Sequence, residues 1–133
     1  MIKTAIFTTY LAYLKKFDYN PLKIFPTGLE STLIYYVMRD RGNNEVAPTG
    51  TLLYAVKKEG LSWDGYCHSY KEILKDAGAQ EWMRKRADES KAGHHVILVC
   101  FEKDPEHCHR RLLAETIATQ FGAEYKGELS NYQ

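Results

Sequence analysis

Apolar and polar positions alternate in short blocks along this chain. Ala5-Ile6-Phe7 followed by Thr8-Thr9 is an apolar run ending in hydroxyls, which predicts a buried strand over residues 4–9. Tyr10-Leu11-Ala12-Tyr13-Leu14 then reads equally as a short helix or an apolar loop. A second strand is predicted over residues 22–26, stopped where Pro26 lacks the N–H that a ladder needs. Residues 33–38 carry β-branched and aromatic weight and predict a third extended piece, with a helix left open. Arg39-Asp40-Arg41-Gly42-Asn43-Asn44 predicts a turn or a loop at a site rim.

In the second half the period lengthens. Pro48-Thr49-Gly50-Thr51 precedes Leu52, Leu53 and Val56, which share one helical face before Gly60. Two more helices are predicted over residues 69–77 and 80–90, on either side of Gly78. Ile73, Leu74 and Ala77 line the first, and Trp82, Met83 and Arg86 the second. Gly93 closes that stretch and a buried strand follows over residues 96–101. Asp104 suits an N-cap and Pro105 the first position of a helix, where no intrahelical N–H bond is lost. Leu113, Ala114, Ile117, Ala118 and Phe121 give that helix its buried face. Gly122 ends it, and residues 123–129 add a candidate edge strand. Helices alternating with strands predict an α/β domain of two or three layers spanning residues 1–133, with no internal repeat or linker.

Composition narrows the function classes. A chain of 133 residues buries roughly two thirds of its unfolded surface, and 44% apolar content allows an ordinary core. Eighteen Lys plus Arg against seventeen Asp plus Glu leave a net charge of +1. A long duplex is thus not an obligatory partner, although a local basic cleft for nucleic acid stays open. Three cysteines without a secreted spacing point to a reducing interior. No run approaches the roughly 18 apolar residues of a spanning helix, and the first residues lack a signal-peptide core. The expectation is a cytoplasmic protein with no membrane partner.

The chemistry concentrates in one segment. Val96 to Phe101 forms the last strong strand, and the following Glu102-Lys103-Asp104-Pro105-Glu106-His107-Cys108-His109-Arg110-Arg111 is loaded with Cys, His and Arg. Open α/β folds place ligands at such a junction, outside the carboxyl ends of the strands. Cys100-Phe101-Glu102-Lys103-Asp104-Pro105-Glu106-His107-Cys108-His109-Arg110 closely resembles the signature of the family catalogued as domain of unknown function 488. Thr8-Thr9-Tyr10, Ala47-Pro48-Thr49 and the pair Tyr66 and Tyr70 resemble its other recurring pieces, so the likeness runs over residues 4–121. The resemblance implies a small Rossmann-like domain with a mostly parallel sheet flanked by helices. It implies no established reaction.

Several readings of the cluster follow. In the first, the pocket binds, with or without turnover, a nucleotide or other phosphorylated small molecule. Arg110 holds phosphate, Lys103 and Arg111 add positive charge, Glu102 acts as acid or base, and His109 shuttles a proton. Thr8, Thr9, Tyr10 and Cys100 complete the ligand wall. Against it, Glu102, Asp104 and Glu106 put negative charge in the same turn, where they serve the helix dipole and pair with the arginines. In the second, Cys108 in a first helical turn beside two histidines is an activated nucleophile of a cysteine-dependent enzyme, with Cys100 behind it. In the third, Cys67-His68, Cys100 and Cys108-His109 bind metal. Adjacent residues diverge in direction, so each Cys-His pair is expected to give one ligand, and neither a metal nor a cofactor is expected. A non-enzymatic module binding nucleic acid or protein through the same rim is the alternative outside catalysis. Arg84-Lys85-Arg86 reads as a solvated helix face.

Overall fold

The computed structural model describes residues 4–25 and 31–132. Its four strands form one all-parallel sheet: β1 (Ile6–Tyr10), β2 (Ser31–Tyr36), β3 (His94–Cys100) and β4 (Tyr125–Glu128), in the order β2-β3-β1-β4. The strand with the longest apolar run, β3, is central, and every residue after His94 is buried. A strand covered on both faces needs such a run, because alternation with polar residues would bury charge. Val96 and Leu98 point into one core layer, whereas Ile97 and Val99 point into the other.

The described residues form six α-helices: α1 (Leu11–Lys16), α2 (Pro21–Ile24), α3 (Gly50–Lys58), α4 (Trp63–Ile73), α5 (Ala77–Lys91) and α6 (His109–Phe121). Tyr13, Leu14 and Ile24 from α1 and α2 close one face, while α4, α5 and α6 close the other with Tyr66, Tyr70, Trp82, Met83, Leu113 and Ile117. The α/β, Rossmann-like architecture expected from the alternation and the resemblance is the one found. Among the described residues, no helix is long and apolar enough to cross a membrane.

Three expectations change. The predicted second strand over residues 22–26 is instead the helical turn α2, because Pro21 opens a helix and Lys23 N–H bonds back to Asn20. Pro26, its expected stop, lies outside the described residues. The helix predicted from residue 69 begins at Trp63, where Ser62 accepts a hydrogen bond from Gly65 N–H as its cap. Its buried face is made of Tyr66 and Tyr70, rings whose polar tips disguise them as surface residues. Tyr70 is fully buried and donates its hydroxyl to the Val46 carbonyl at 2.6 Å.

The third change bears on the site. Asp104 caps only a single 3-10 turn, Pro105–His107. Cys108 then returns to extended backbone (φ −135°, ψ 140°) and α6 starts at His109. The expected helix near residue 105 is therefore two pieces with Cys108 at the break.

Candidate functional site

Beyond the carboxyl ends of β2 and β3 lies a cavity of about 460 Å³. Its floor is Cys100, Cys108 and His109; its walls include Met38, Phe101, Trp63 and Tyr66; its roof is Leu53, Val56 and Lys57 of α3. The strand alternation explains the floor. Cys100 shares the parity of Val96 and Leu98, so its thiol faces the layer of α4 and α6. Cys108 and Met38 pack against it in a small apolar cluster.

The break before α6 aims the other two floor groups. An extended Cys108 followed by a helical His109 turns both side chains toward Cys100, contrary to the divergence expected within one regular element. Cys100 Sγ, Cys108 Sγ and His109 Nδ1 lie within 4.8 Å of one another. His109 Nε2 bonds to the Val37 carbonyl. A carbonyl only accepts, so Nε2 carries the ring proton and Nδ1 shows its lone pair to Cys108 Sγ, 3.9 Å away. Burial lowers the imidazole to about 4, against the Val37 contact that favours its charged form, so it is neutral at pH 7. Burial also pushes the Cys100 thiol up, but the Cys108 and Arg110 hydrogen bonds outweigh it and leave Cys100 below the usual thiol range. Cys108 moves the opposite way, raised by its hydrogen bond to Cys100 and by burial. Of the two thiols, Cys100 is thus the one that ionises first.

Arg110 sits behind this floor rather than on it. The side chain is fully buried and all five of its N–H groups have acceptors. Nε and Nη2 form a fork on Glu128 at 3.0 and 2.8 Å. Nη2 also donates to the Lys103 carbonyl at 3.1 Å, while Nη1 donates to the Glu102 carbonyl and to Cys100 Sγ at 3.4 Å. The role of phosphate holder assigned to Arg110 is corrected on this ground: no donor is left for a ligand. The guanidinium instead ties the 102–103 loop to the sheet.

Glu128 and Tyr125 are the residues that sequence reasoning missed. Ile6 pairs with Tyr125 and Thr8 with Glu128, so β4 spends one more residue than β1 over the same span. That bulge sits at Gly127, whose φ of +90° suits glycine. It brings Tyr125 and Glu128 to the same side, although a spacing of three would otherwise put them on opposite faces. Thr8 donates to Glu128 and shares a 2.8 Å hydrogen bond with the Tyr125 hydroxyl. An isolated glycine inside a strand pattern was the available signal.

The remaining predicted residues divide plainly. Glu102 is exposed at the cavity wall, and Cys100, Cys108 and His109 meet at its floor. Thr8 is buried behind Arg110 as a partner of Glu128. Thr9 is buried with opposite parity, and its hydroxyl finds no hydrogen-bond partner among the described residues. Tyr10 packs on Tyr13 at 6.3 Å between ring centres. Lys103 is exposed and contributes its carbonyl, and Arg111 bonds Glu115 and the Pro105 and Glu106 carbonyls. None of Thr8, Thr9, Tyr10, Lys103 and Arg111 lines the cavity. The chain leaves β1 into α1 on the far face, which takes the 8–10 segment away from the cavity.

A ladder of rings supports the wall. On α4, Trp63 stacks on Tyr66 at 5.1 Å, Tyr66 lies parallel to Tyr70 at 6.2 Å, and His109 meets Tyr70 edge-on at 5.4 Å. Cys67 is half-buried on the same helix, outside the floor cluster, and His68 is exposed. Cations gather at the cavity rim, with Arg39 and Lys57 lining it and Arg41 over the exposed Phe101 ring at 5.6 Å.

No curated protein and no solved structure matches the chain. Residues 24–131 do match a family model, DUF488-N3a, described as the Active DUF488-N3 subclade, and with most of its length covered the chain belongs to that family.

Proposed function

We propose that the cavity binds a small, ring-bearing anion, a nucleotide or a close analogue, and that any turnover takes place over the Cys100–Cys108–His109 floor. One observation carries this reading: a concavity of ligand size, about 460 Å³, combines an aromatic wall, a cationic rim and a polar floor. Trp63, half-buried at the cavity wall and backed by the Tyr66 ring, offers flat surface for a base. Arg39, Arg41 and Lys57 take over the phosphate role that a buried Arg110 does not fill. The description of the matched subclade as active favours chemistry over binding alone. The cavity size and the net charge of +1 favour a small molecule over an extended nucleic acid or a protein segment, the competing reading. The same reading places the protein in the cytoplasm, where three free thiols persist.

Titration calorimetry with nucleoside mono- and diphosphates tests it. Saturable binding is expected, weakened roughly 5–150-fold by Trp63→Ala, the range for losing one base-stacking ring. Lys57→Ala is expected to weaken diphosphates more than nucleosides. Absence of saturable binding across the panel at millimolar concentration removes the nucleotide reading.

A further inference from the structure

We propose that Cys100, Cys108 and His109 form a three-ligand site for zinc or a similarly soft divalent cation, with the fourth coordination position open to the cavity. This deepens the reading of the cavity only in what sits on its floor; the metal site stands on its own geometry.

The ligand types come first. Two sulfurs and one imidazole nitrogen are a donor set that selects zinc over hard cations, and three protein ligands with one free position is the arrangement of an open zinc centre. The three atoms lie within 4.8 Å of one another, and Cys108 Sγ is 3.9 Å from His109 Nδ1. Tetrahedral bonds of about 2.3 Å to sulfur and about 2.0 Å to nitrogen need separations of roughly 3.5–3.8 Å, a contraction of at most about 1.3 Å from the 4.8 Å spread.

The outer contacts match what such ligands require. A ligating imidazole is ordinarily fixed through its other nitrogen, and His109 is fixed in that way by the Val37 carbonyl. Cys100 Sγ accepts an N–H from Arg110, the kind of contact that orients a thiolate. Charge balance points the same way. Arg110 is already paired with Glu128, so two ionised thiols on this buried floor would be short of positive charge, and a divalent ion makes up the difference. Cys100, Cys108 and His109 all line the cavity, so a water or a ligand atom reaches the fourth position from there.

The test uses the full chain, stripped with a chelator under reducing conditions, then titrated with Co²⁺ and with Zn²⁺ against a chromophoric competitor. One equivalent is expected to bind, with intense sulfur-to-cobalt charge-transfer bands. Zinc is expected to protect Cys100 and Cys108, but not Cys67, from alkylation as mapped by mass spectrometry. Cys108→Ser and His109→Ala are each expected to weaken binding by roughly 100-fold or more, since outer-shell partners alone are worth about 10–100-fold, while Cys67→Ser changes nothing. The alkylation map on unmutated protein keeps the test decisive if a variant misfolds. Equal labelling of Cys100 and Cys108 with and without zinc, or cobalt spectra lacking sulfur bands, overturns the proposal. Nucleotide titration of the stripped protein separates the two readings: zinc binding without nucleotide binding sinks only the cavity's ligand, and the reverse sinks only the metal.

Discussion

Arg110 and Glu128 bury opposite charges side by side, and that choice has a cost which the surrounding donors and acceptors offset. The guanidinium has no exposed surface, and Glu128 is 9% exposed. Taking a charge out of water costs several kcal/mol, which a fork of two hydrogen bonds regains only if the leftover donors are also met. Here they are met, by two carbonyls and one sulfur. Glu128→Gln is therefore expected to destabilise the protein by about 3–5 kcal/mol, because it leaves the arginine charge without its partner. Replacing both, Arg110→Met with Glu128→Leu, is expected to recover most of that loss in urea unfolding. A single variant that unfolds within about 1 kcal/mol of the parent would show that water already reaches the pair. At this scale the sequence brought Cys100, Cys108 and His109 to the cavity but placed Thr8, Thr9, Tyr10, Lys103, Arg110 and Arg111 there as well, none of which lines it. The Cys-His-Arg run shows that Arg110 matters, but its direction depends on Glu128, eighteen residues on in another strand. Nothing local to Arg110 encodes that partner.

Elements were legible where one period held for long enough. The central strand, the helices α3 and α5, and the edge strand β4 all follow from apolar spacing and from Gly60, Gly93 and Gly122 as stops. Failures came where apolar residues serve a single turn, as at Ile24, or where aromatic rings with polar tips form the buried stripe, as in α4. The break at Cys108 was hidden for a third reason. Asp104 and Pro105 are a sound helix start, and they do start a helical turn, yet the chain has to unwind at Cys108 to seat its side chain beside Cys100. The bulge in β4 is the other irregular element that builds the site, and it makes a separable prediction. A Cβ at Gly127 would meet no atom within 4 Å, so steric crowding is not the obstacle; the φ of +90° is. Gly127→Val is expected to cost at least about 1–2 kcal/mol by backbone strain alone. Gly50→Ala, which meets open space at an ordinary φ, is expected to cost nothing measurable. Thermal unfolding of the two variants side by side checks this, and equal melting temperatures would mean that β4 adjusts its register freely.

The whole molecule divides into a stiff sheet with its packed helices and a lightly attached roof. Helix α5 buries five side chains against the sheet, Ala79, Trp82, Met83, Ala87 and Ser90, whereas α3 buries only Leu52. The other apolar residues of α3 look elsewhere: Leu53 and Val56 line the cavity, and Tyr54 is 59% exposed. Sequence periodicity placed Leu52, Leu53 and Val56 on one helical face, and it does not separate cavity wall from core wall, because both demand the same residue types. The difference is energetic. A segment with few buried contacts opens at a small fraction of the global unfolding free energy, so its amides exchange early. Hydrogen exchange by mass spectrometry is therefore expected to show α3 (Gly50–Lys58) exchanging well before α5 (Ala77–Lys91) in the free protein. A ligand filling the cavity adds apolar partners to Leu53 and Val56 and an anion to Lys57, which slows α3 selectively and leaves α5 unchanged. Protection spread evenly over both helices would instead mean that binding tightens the entire fold. Exchange in the free protein as slow at α3 as at α5 would mean that the roof is fixed. The cavity would then admit only what passes between Arg39, Lys57 and Trp63 as they stand.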